Sequence, residues 1–401
     1  MAGRRAYLAI ILVAFVIRLV WVLATPDYTL VHDAVDYDRH AAHLVQFGSF
    51  ETSYSRKTAF RPPAFPWLLA GAYWVFGDGE HRVELARIVN VFVGTGIVAL
   101  IGLLAFQLWG RRESLVAMAL GAVYVPLLEV GQAVMSEPLF ALLMLGAMVC
   151  ALRKWVIATG VLFGLAVLAR ANGMILALPL AWALWEGRAT WWKPALAVVI
   201  GALVVIPWTV RNYLVLDHFV PVSTQFGSAM AGTYNDQAQH DPVNPASWRA
   251  LGHIPEMDRF IGHIRQTNEA ALDQQLRSYS IDYIKDHPSS VLKTAWWTSR
   301  RMLDLGHMDW SIHTASTISI GKKWAVTGVI VFWVFAVLAI IGAFDPRARA
   351  APLWVWSVPF LMYLSVVFLV VETPRYRTAL DPFIVLLAAL AVTRWRGRTA
   401  Q

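Results

Sequence analysis

The sequence predicts an all-α integral membrane protein of about ten transmembrane helices, with interfacial helices in the first outer loop and a small, mainly helical extracytoplasmic domain. Three observations carry that expectation. Of its 401 residues, 58% are hydrophobic and only 15% are charged, where soluble domains carry roughly 25% charged residues. Apolar runs, several of them short of the about 20 residues that cross a bilayer comfortably, occupy 7–24, 85–108, 114–130, 138–152, 155–169, 173–185, 194–210, 324–344, 353–371 and 379–393. Basic residues gather in the short loops between them.

That gathering sets the topology. With the N-terminus in the cytoplasm and an even number of spans, Arg111 and Arg112, Arg153 and Lys154, Arg188 with Lys193, Arg347 with Arg349, and Arg394, Arg396 and Arg398 all fall on the cytoplasmic side, as the positive-inside rule requires. An odd number would invert every later loop. The net charge of +8 is thus a topology signal spread between apolar runs, and no nucleic-acid partner is expected. The single cysteine, Cys150, excludes an intramolecular disulfide and a thiolate metal cluster. Arg4 and Arg5 precede an apolar stretch that resembles a signal peptide, yet the run to residue 24 lacks a small-residue cleavage site and reads as a retained first helix.

Two long segments remain on the opposite side. The first, 25–84, holds a helix predicted over 34–47 and stopped by Gly48, then Arg61-Pro62-Pro63 leading into the apolar run 64–76. That run is too short to span and opens at proline, so it reads as interfacial or re-entrant. The second, 211–323, has mixed polarity with helical periodicity over 273–285 and 289–304, while 236–247 is polar enough for a loop. The expected organisation is therefore a membrane domain over 1–210, an outer helical segment over 211–323 and a C-terminal membrane part over 324–401.

Ionisable groups at membrane depth cost about 2.5–3.5 kcal/mol each, so those kept near helix ends ask for a reason. The outer ends carry Glu129, Glu137, Arg170, Arg211, Glu372, Arg375 and Arg377, and the first outer loop adds Asp33, Asp36, Arg61, Glu80, Arg82, Glu84 and Arg87. Such a mixed ring beside a bilayer that can hold a lipid tail suits transfer of a group from a lipid phosphate. Carboxylates accept a proton from the acceptor, and arginines neutralise the phosphate.

Each local motif has an ordinary reading beside a chemical one. In His32-Asp33-Ala34-Val35-Asp36-Tyr37, Asp33 stands where a helix N-cap belongs and Asp36 enriches the first turn; alternatively Asp33 is a general base at the mouth of a membrane cavity. A carboxylate whose lone pairs serve backbone amides is a poorer base, so the two roles are not easily shared. Arg61 before paired prolines is either a phosphate ligand at a helix start or an arginine snorkelling to headgroups. Ser136-Glu137-Pro138 is ordinary helix-start chemistry unless Glu137 also faces the site. Arg170 precedes a tight turn. Glu372-Thr373-Pro374-Arg375-Tyr376-Arg377 places two arginines around a tyrosine in an outer loop, against the positive-inside trend. His32, His40 and His43 complete no metal-ligand pattern, and no phosphate-binding glycine loop or nucleophile elbow is present, so neither metal nor cofactor is expected.

Taken in order, these motifs resemble the GT-C superfamily of membrane glycosyltransferases, in the branch that includes protein O-mannosyltransferases and the lipid A aminoarabinose transferase. Asp33 followed four residues on by Tyr37 looks like the family's catalytic aspartate and its tyrosine. Arg61-Pro62-Pro63 with Pro66 is similar to the start of its juxtamembrane helix, and Glu137-Pro138 to an acidic residue opening the fourth helix. Pro207-Trp208-Thr209-Val210-Arg211-Asn212-Tyr213 resembles the exit towards an outer domain; Asp286-His287-Pro288 and Arg375-Tyr376 also fit. Position 137 departs from the pattern, holding glutamate where the family has aspartate.

The resemblance implies an inverting glycosyltransferase that moves a sugar from a polyprenyl-phosphate donor to a hydroxyl on a lipid, glycan or protein acceptor. It places the protein in a bacterial cytoplasmic membrane, in contact with membrane lipids, with its active site on the extracytoplasmic face. Catalytic roles fall to Asp33, Asp36 and Glu137; Arg61, Arg170, Arg375, Tyr376 and Arg377 hold the donor phosphate. The rival from another class is a transporter or flippase of lipid-linked or envelope glycans, which calls for midplane charges and broken helices in both halves of a repeat.

Overall fold

A computed structural model describes residues 2–51, 56–262, 267–368 and 373–398. The chain runs through α1 (Ala2–Leu23), α2 (Asp33–Phe47), α3 (Ala64–Phe76), α4 (Arg82–Trp109), α5 (Arg111–Val123), α6 (Val125–Gln132), α7 (Glu137–Leu152), α8 (Val156–Ala169), α9 (Ala177–Leu184) and α10 (Trp192–Leu216). It continues with α11 (Gln225–Thr233), α12 (Asp236–Gln239), α13 (Asp258–Ile261), α14 (Glu269–Asp286), α15 (Ser289–Met302) and α16 (Met308–Ser316). The last elements are α17 (Lys322–Ala343), α18 (Pro346–Ala350), α19 (Leu353–Val367), a 3-10 turn over Pro374–Ala379 and α20 (Asp381–Arg398). No strand occurs among the described residues, as predicted.

Four segments are long and apolar enough to cross a bilayer alone: Arg4–Leu23, Arg82–Trp109, Arg188–Leu216 and Lys322–Ala343. The run predicted as one span over 114–130 is broken instead. Tyr124 is extended, Pro126 lacks an amide hydrogen to continue the ladder, and α5 and α6 meet at 55°. If that bent pair is one crossing it makes a fifth. Ala64–Phe76, Glu137–Leu152, Val156–Ala169, Ala171–Leu184 and Leu353–Val367 are shorter apolar helices, so helix length alone does not establish the expected count of about ten.

Lipid exposure is written on the long helices. On α1, Leu8, Leu12, Val16 and Val20 recur every fourth residue and all are exposed, and α17 exposes one face through Ile330, Val334, Val337 and Ile341 at spacings of four, three and four. Lipid tails are as apolar as leucine, so burial alone supplies little drive between such helices and close packing takes over. Gly160 and Gly164, four residues apart on α8, show how. A Cβ on either would lie 2.6 Å from a backbone carbonyl of α10, at Ala197 and Gly201 respectively. Backbone rests on backbone here. Through this contact α8 is fixed, and with it Arg170 at its C-terminal end.

The charged loops sort to opposite ends of the bundle. Helix α4 has 28 residues, a length of about 42 Å at 1.5 Å per residue. Its first residue, Arg82, grips Asp38 of α2. At its other end the Trp109 indole donates to the Arg347 carbonyl, and Arg347 pairs with Glu113. Lys154 reaches the Ala183 carbonyl and Glu186, joining two more basic loops. The segment between α10 and α17 packs small cores of its own, among them Ala231, Ile254, Met257, Leu272 and Leu276. It is tied to the segment between α2 and α3 through Glu269, whose carboxylate accepts from the Thr58 hydroxyl, the Ala59 amide and the Thr224 hydroxyl.

Candidate active site

Helix α2 starts at Asp33 without a side-chain cap, after His32 in a left-handed conformation with φ 48°. The capping reading of Asp33 is thus corrected. Its carboxylate faces away from the amides and accepts from Arg61 Nη2 at 2.7 Å and from Arg375 Nη2 at 2.6 Å. Asp36, one turn along, accepts from the same Arg61 through Nη2 at 2.7 Å and Nε at 3.1 Å. Arg61 therefore staples one face of α2 from the irregular segment that leads into Pro62 and Pro63. Its guanidinium lies over the Tyr37 ring at 5.5 Å and the Phe60 ring at 5.1 Å. Arg61 itself is buried, while the two carboxylates of this staple keep 24% (Asp33) and 29% (Asp36) of their side chains open.

Helix α7 supplies the opposite wall. Ser136 holds the cap position but makes no capping bond, a second departure from the sequence reading. Its hydroxyl instead meets Tyr37 Oη at 2.9 Å and Arg170 Nη1 at 3.4 Å. The buried Glu137 pairs with Arg170 at 2.8 Å and lies 3.7 Å from Arg375 Nε. Tyr376 sits between two guanidinium groups, 4.8 Å from Arg170 and 5.1 Å from Arg375. A cleft opens there, about 280 Å³ with the solvent at its mouth included, bounded by Glu137, Arg170 and Tyr376 and, on its apolar side, by Phe140, Met362 and Val366.

Asp33, Asp36, Arg61, Glu137, Arg170, Arg375 and Tyr376 thus converge from five separate stretches of chain. Arg377 does not join them. Two residues beyond Arg375 in the 3-10 turn, it points elsewhere and is fully buried, donating to Asp304 at 2.9 Å, Asp381 at 3.1 Å and the Met302 carbonyl at 2.7 Å. This placement lends no support to the expectation that it holds phosphate: its Nε and Nη1 are engaged by Asp381, Met302 and Asp304. Arg87 is likewise structural, serving Thr25 and Gln132, and Arg211 serves the Thr58 and Phe50 carbonyls. Glu372 lies outside the described residues.

Sequence reasoning passed over the anchor that orients α2. Asp38 faces away from Asp33, accepts from Tyr73 Oη at 2.9 Å and takes a two-pronged grip from Arg82 at 3.0 Å. The signal was available as an acidic residue on the apolar side of an amphipathic helix, which needs a partner when buried. No metal-binding group of three or more His, Cys, Asp or Glu side chains occurs among the described residues.

Electrostatics follow from this crowding. Burial pushes the Asp33 carboxyl up, but the Arg61 and Arg375 guanidinium groups outweigh it and hold Asp33 well below the usual carboxylate range. Burial works against the charge on Arg61 and Arg375 too, and their carboxylate partners hold both above the ordinary arginine value. Burial raises the Tyr37 phenol to about 12, so it remains a neutral hydrogen-bond donor. His40, stacked on Phe50 with its Nδ1 at the Glu51 carbonyl, is lowered by burial from 6.5 to about 4 despite Asp36 and that carbonyl.

One expected result concerns pH. A histidine held neutral in the folded state stabilises fully above its ordinary value, and the contribution is lost as pH falls from 6.5 through about 4. The loss is on the order of 3 kcal/mol. Thermal unfolding in detergent should show a drop over that window that His40→Gln abolishes. An identical drop in the variant would remove His40 as the cause.

The architecture, helices bent or broken around a charged cleft at one end of the bundle, has the fold of a solved oligosaccharyltransferase. Within it, residues 60–211 match the family model described as dolichyl-phosphate-mannose-protein mannosyltransferase. Among solved structures, the oligosaccharyltransferase AglB of Archaeoglobus fulgidus, in complex with an inhibitory peptide and a dolichol-phosphate, has a TM-score of 0.55 at 13% identity, covering 97% of this chain and 50% of its own. Its apo form gives 0.56 at 13% identity with the same coverage, 97% and 50%. ArnT from Cupriavidus metallidurans bound to undecaprenyl phosphate gives 0.45 at 15% identity over 97% of this chain and 77% of its own. The chain spans about half the length of the oligosaccharyltransferase it matches. No curated protein matches it by sequence.

Proposed function

We propose that this chain is an inverting glycosyltransferase, moving a sugar from a polyprenyl-phosphate donor to an acceptor hydroxyl on the extracytoplasmic side of a bacterial cytoplasmic membrane. The carrying observation is the bridge of Asp33 between Arg61 and Arg375, at 2.7 and 2.6 Å. It joins a proton acceptor to two phosphate-binding groups beside a partly apolar cavity. The family description and the lipid phosphate in the AglB structure support a donor of that class.

In this reading Asp33 takes the proton of the acceptor hydroxyl as its oxygen attacks the anomeric carbon. The bond from that carbon to the phosphate oxygen breaks on the opposite face, which inverts the centre. The leaving phosphate turns from diester to monoester and gains negative charge, and preorganised guanidinium groups stabilise charge that develops in the transition state. Arg375 and Arg170 are assigned that task, with Tyr376 fixing both; Arg61 shares it and holds Asp36. Glu137 orients Arg170, and a monophosphate donor needs no metal when arginines supply the positive charge.

Order of binding follows from the same charges. A carboxylate clamped by two arginines is a weak base. Phosphate competes for those guanidinium groups, and each one it draws off lifts the basicity of Asp33. Donor binding thereby arms the base before the acceptor is deprotonated. Acceptor choice is assigned to 211–323, which Glu269 ties to the segment leading into Arg61.

The function is tested by mass spectrometry of lipid-linked sugars and envelope glycans with and without the chain. One polyprenyl-phosphate sugar should accumulate in its absence and one glycan should lose a residue; unchanged profiles would refute the assignment. Sidedness has a separate expected result. Reporter fusions should place both termini and the Arg347 loop in the cytoplasm and the 211–323 segment outside, and an external Arg347 would overturn the topology.

A further inference from the structure

Helix α15 is amphipathic in the reverse sense. Its buried face is polar: Ser290, Thr294, Thr298 and Arg301 turn inward, where Thr294 Oγ1 accepts from Gln239 Nε2 at 2.9 Å and Arg301 donates to the Pro245 carbonyl at 2.6 Å. Leu292 and Trp296, one turn apart on the other side, are 73% and 62% exposed, and Leu305 and Met308 just past the helix are exposed as well. A helix on a water-soluble domain turns its apolar stripe to the core. A stripe left outside marks contact with lipid or with a partner.

The position of the helix says which. Ser299 is seven residues from Leu292 and three from Trp296, so it shares their side of the helix, and its hydroxyl meets Tyr363 Oη. Tyr363 lies one turn inside the end of α19 that borders the cleft, and Phe360, a turn deeper on that apolar helix, is exposed. Just past α15, the Asp304 carbonyl accepts from the Trp333 indole at 3.3 Å. Trp333 stands well inside α17, one of the segments long and apolar enough to cross a bilayer, about 16 Å along the axis from Lys322 at 1.5 Å per residue. Side chains lean towards the start of their helix, which brings the contact a few ångströms back and still leaves it inside the span. The uncovered stripe of α15 is thus continuous with the apolar surfaces of α17 and α19. Arg300, one turn past Trp296 and stacked on Trp297 at 4.9 Å, adds the cation that interfacial helices carry beside tryptophan.

We propose that α15 is an interfacial helix whose Leu292 and Trp296 face rests in the headgroup–acyl boundary of the leaflet at the cleft end, so that the 211–323 segment is seated in the membrane surface and does not stand clear of it in water. The seat has a use at the site. Arg377 ties the Met302 carbonyl at the end of α15 to the 3-10 turn that carries Arg375, so seating α15 fixes the height of that turn against the lipid phosphates. The seat is independent of the glycosyltransferase reading, while its effect on the donor rests on that reading.

The test uses the full chain in nanodiscs with Cys150→Ala as background and a fluorophore on Leu292→Cys, on Trp296→Cys or, as a water-exposed reference, on Lys285→Cys. Quenching by nitroxides at two depths on lipid acyl chains is compared with quenching by aqueous iodide. Labels at 292 and 296 should lie about 5–10 Å into the boundary and be shielded from iodide, and the label at 285 should show the reverse. Iodide quenching at 292 and 296 equal to that at 285 would overturn the seat. Shielding from both quenchers would overturn it too, since a second copy or another protein would then cover the stripe. Leu292→Gln combined with Trp296→Gln is next assayed by release of polyprenyl phosphate. KM should rise about 3- to 10-fold for a bilayer-anchored donor, a part of what burying two apolar side chains contributes, and hold for a short-chain donor that dissolves in water. An equal rise for both donors, or none, would overturn the link to the Arg375 turn. Release from no donor by the wild type would sink the glycosyltransferase reading and that link with it, and leave the depth result standing.

Discussion

Replacing Asp33 by asparagine should lower transfer by about 10²- to 10⁴-fold, the contribution of a positioned general base, without unfolding the protein. Asparagine keeps the shape and one acceptor oxygen, so contacts to Arg61 and Arg375 persist in weakened form. Asp36 and Glu137 still balance those arginines. The distinguishing sign is in the kinetic constants. Loss of the carboxylate charge frees both guanidinium groups for phosphate, so KM for the donor should hold or fall while kcat collapses. A structural role for Asp33 predicts the opposite, a weaker donor site and a lower melting temperature. Transfer within a few-fold of the wild type would remove Asp33 from the chemistry.

Asp33 also predicts how the reaction responds to acid. Its two arginines hold it well below the usual carboxylate range, so it is ionised throughout the physiological window and cannot give an acid limb near neutrality. Stability from the bridge is fully present above the ordinary carboxylate value and is lost as pH falls below it towards the depressed value.

Arg375→Ala should cost about 10²- to 10³-fold in kcat/KM, the loss seen when one group aimed at developing negative charge is removed. Because Arg375 both binds the ground-state phosphate and meets the leaving group, KM for the donor should rise and kcat fall together, while KM for the acceptor changes little. Lysine restores the charge without the planar fork, so Arg375→Lys should recover part of kcat and little of the donor affinity. An unchanged donor KM in a folded Arg375→Ala protein would contradict the phosphate role. Arg377, two residues on, serves as the internal contrast. Its loss opens a buried pair with Asp304 and Asp381 and should show first as instability.

How far the sequence could go is clear from particular residues. Helix α3 ends where it was expected, at Ala64 and Phe76, because Pro62 and Pro63 and then Gly77 mark both boundaries with local chemistry. Breaking of the span at Tyr124 was missed, since a proline within an apolar run is compatible with either a kinked helix or a real break, and packing decides. Asp33 and Arg375 could be singled out as charges out of place, but their contact joins residues 342 positions apart, and no periodicity encodes such a distance. Arg375 and Arg377 looked equivalent. In a 3-10 turn a separation of two residues sends side chains to different faces, and one faces Asp33 while the other is locked to Asp304 and Asp381. Asp38 and Glu269 escaped notice for a related reason: each acts through partners brought near only by the tertiary fold, Arg82 and Tyr73 for one, Thr58 and Ala59 for the other.

The most direct test of the central claim, that Asp33 drives a single displacement at a sugar carbon activated by a lipid phosphate, is the anomeric configuration of the product. Purified chain in nanodiscs would be given a polyprenyl-phosphate sugar of one known anomer and its acceptor, and the first-formed product read by NMR. The account predicts the opposite anomer, formed in step with one equivalent of polyprenyl phosphate; retention of the starting configuration would contradict it.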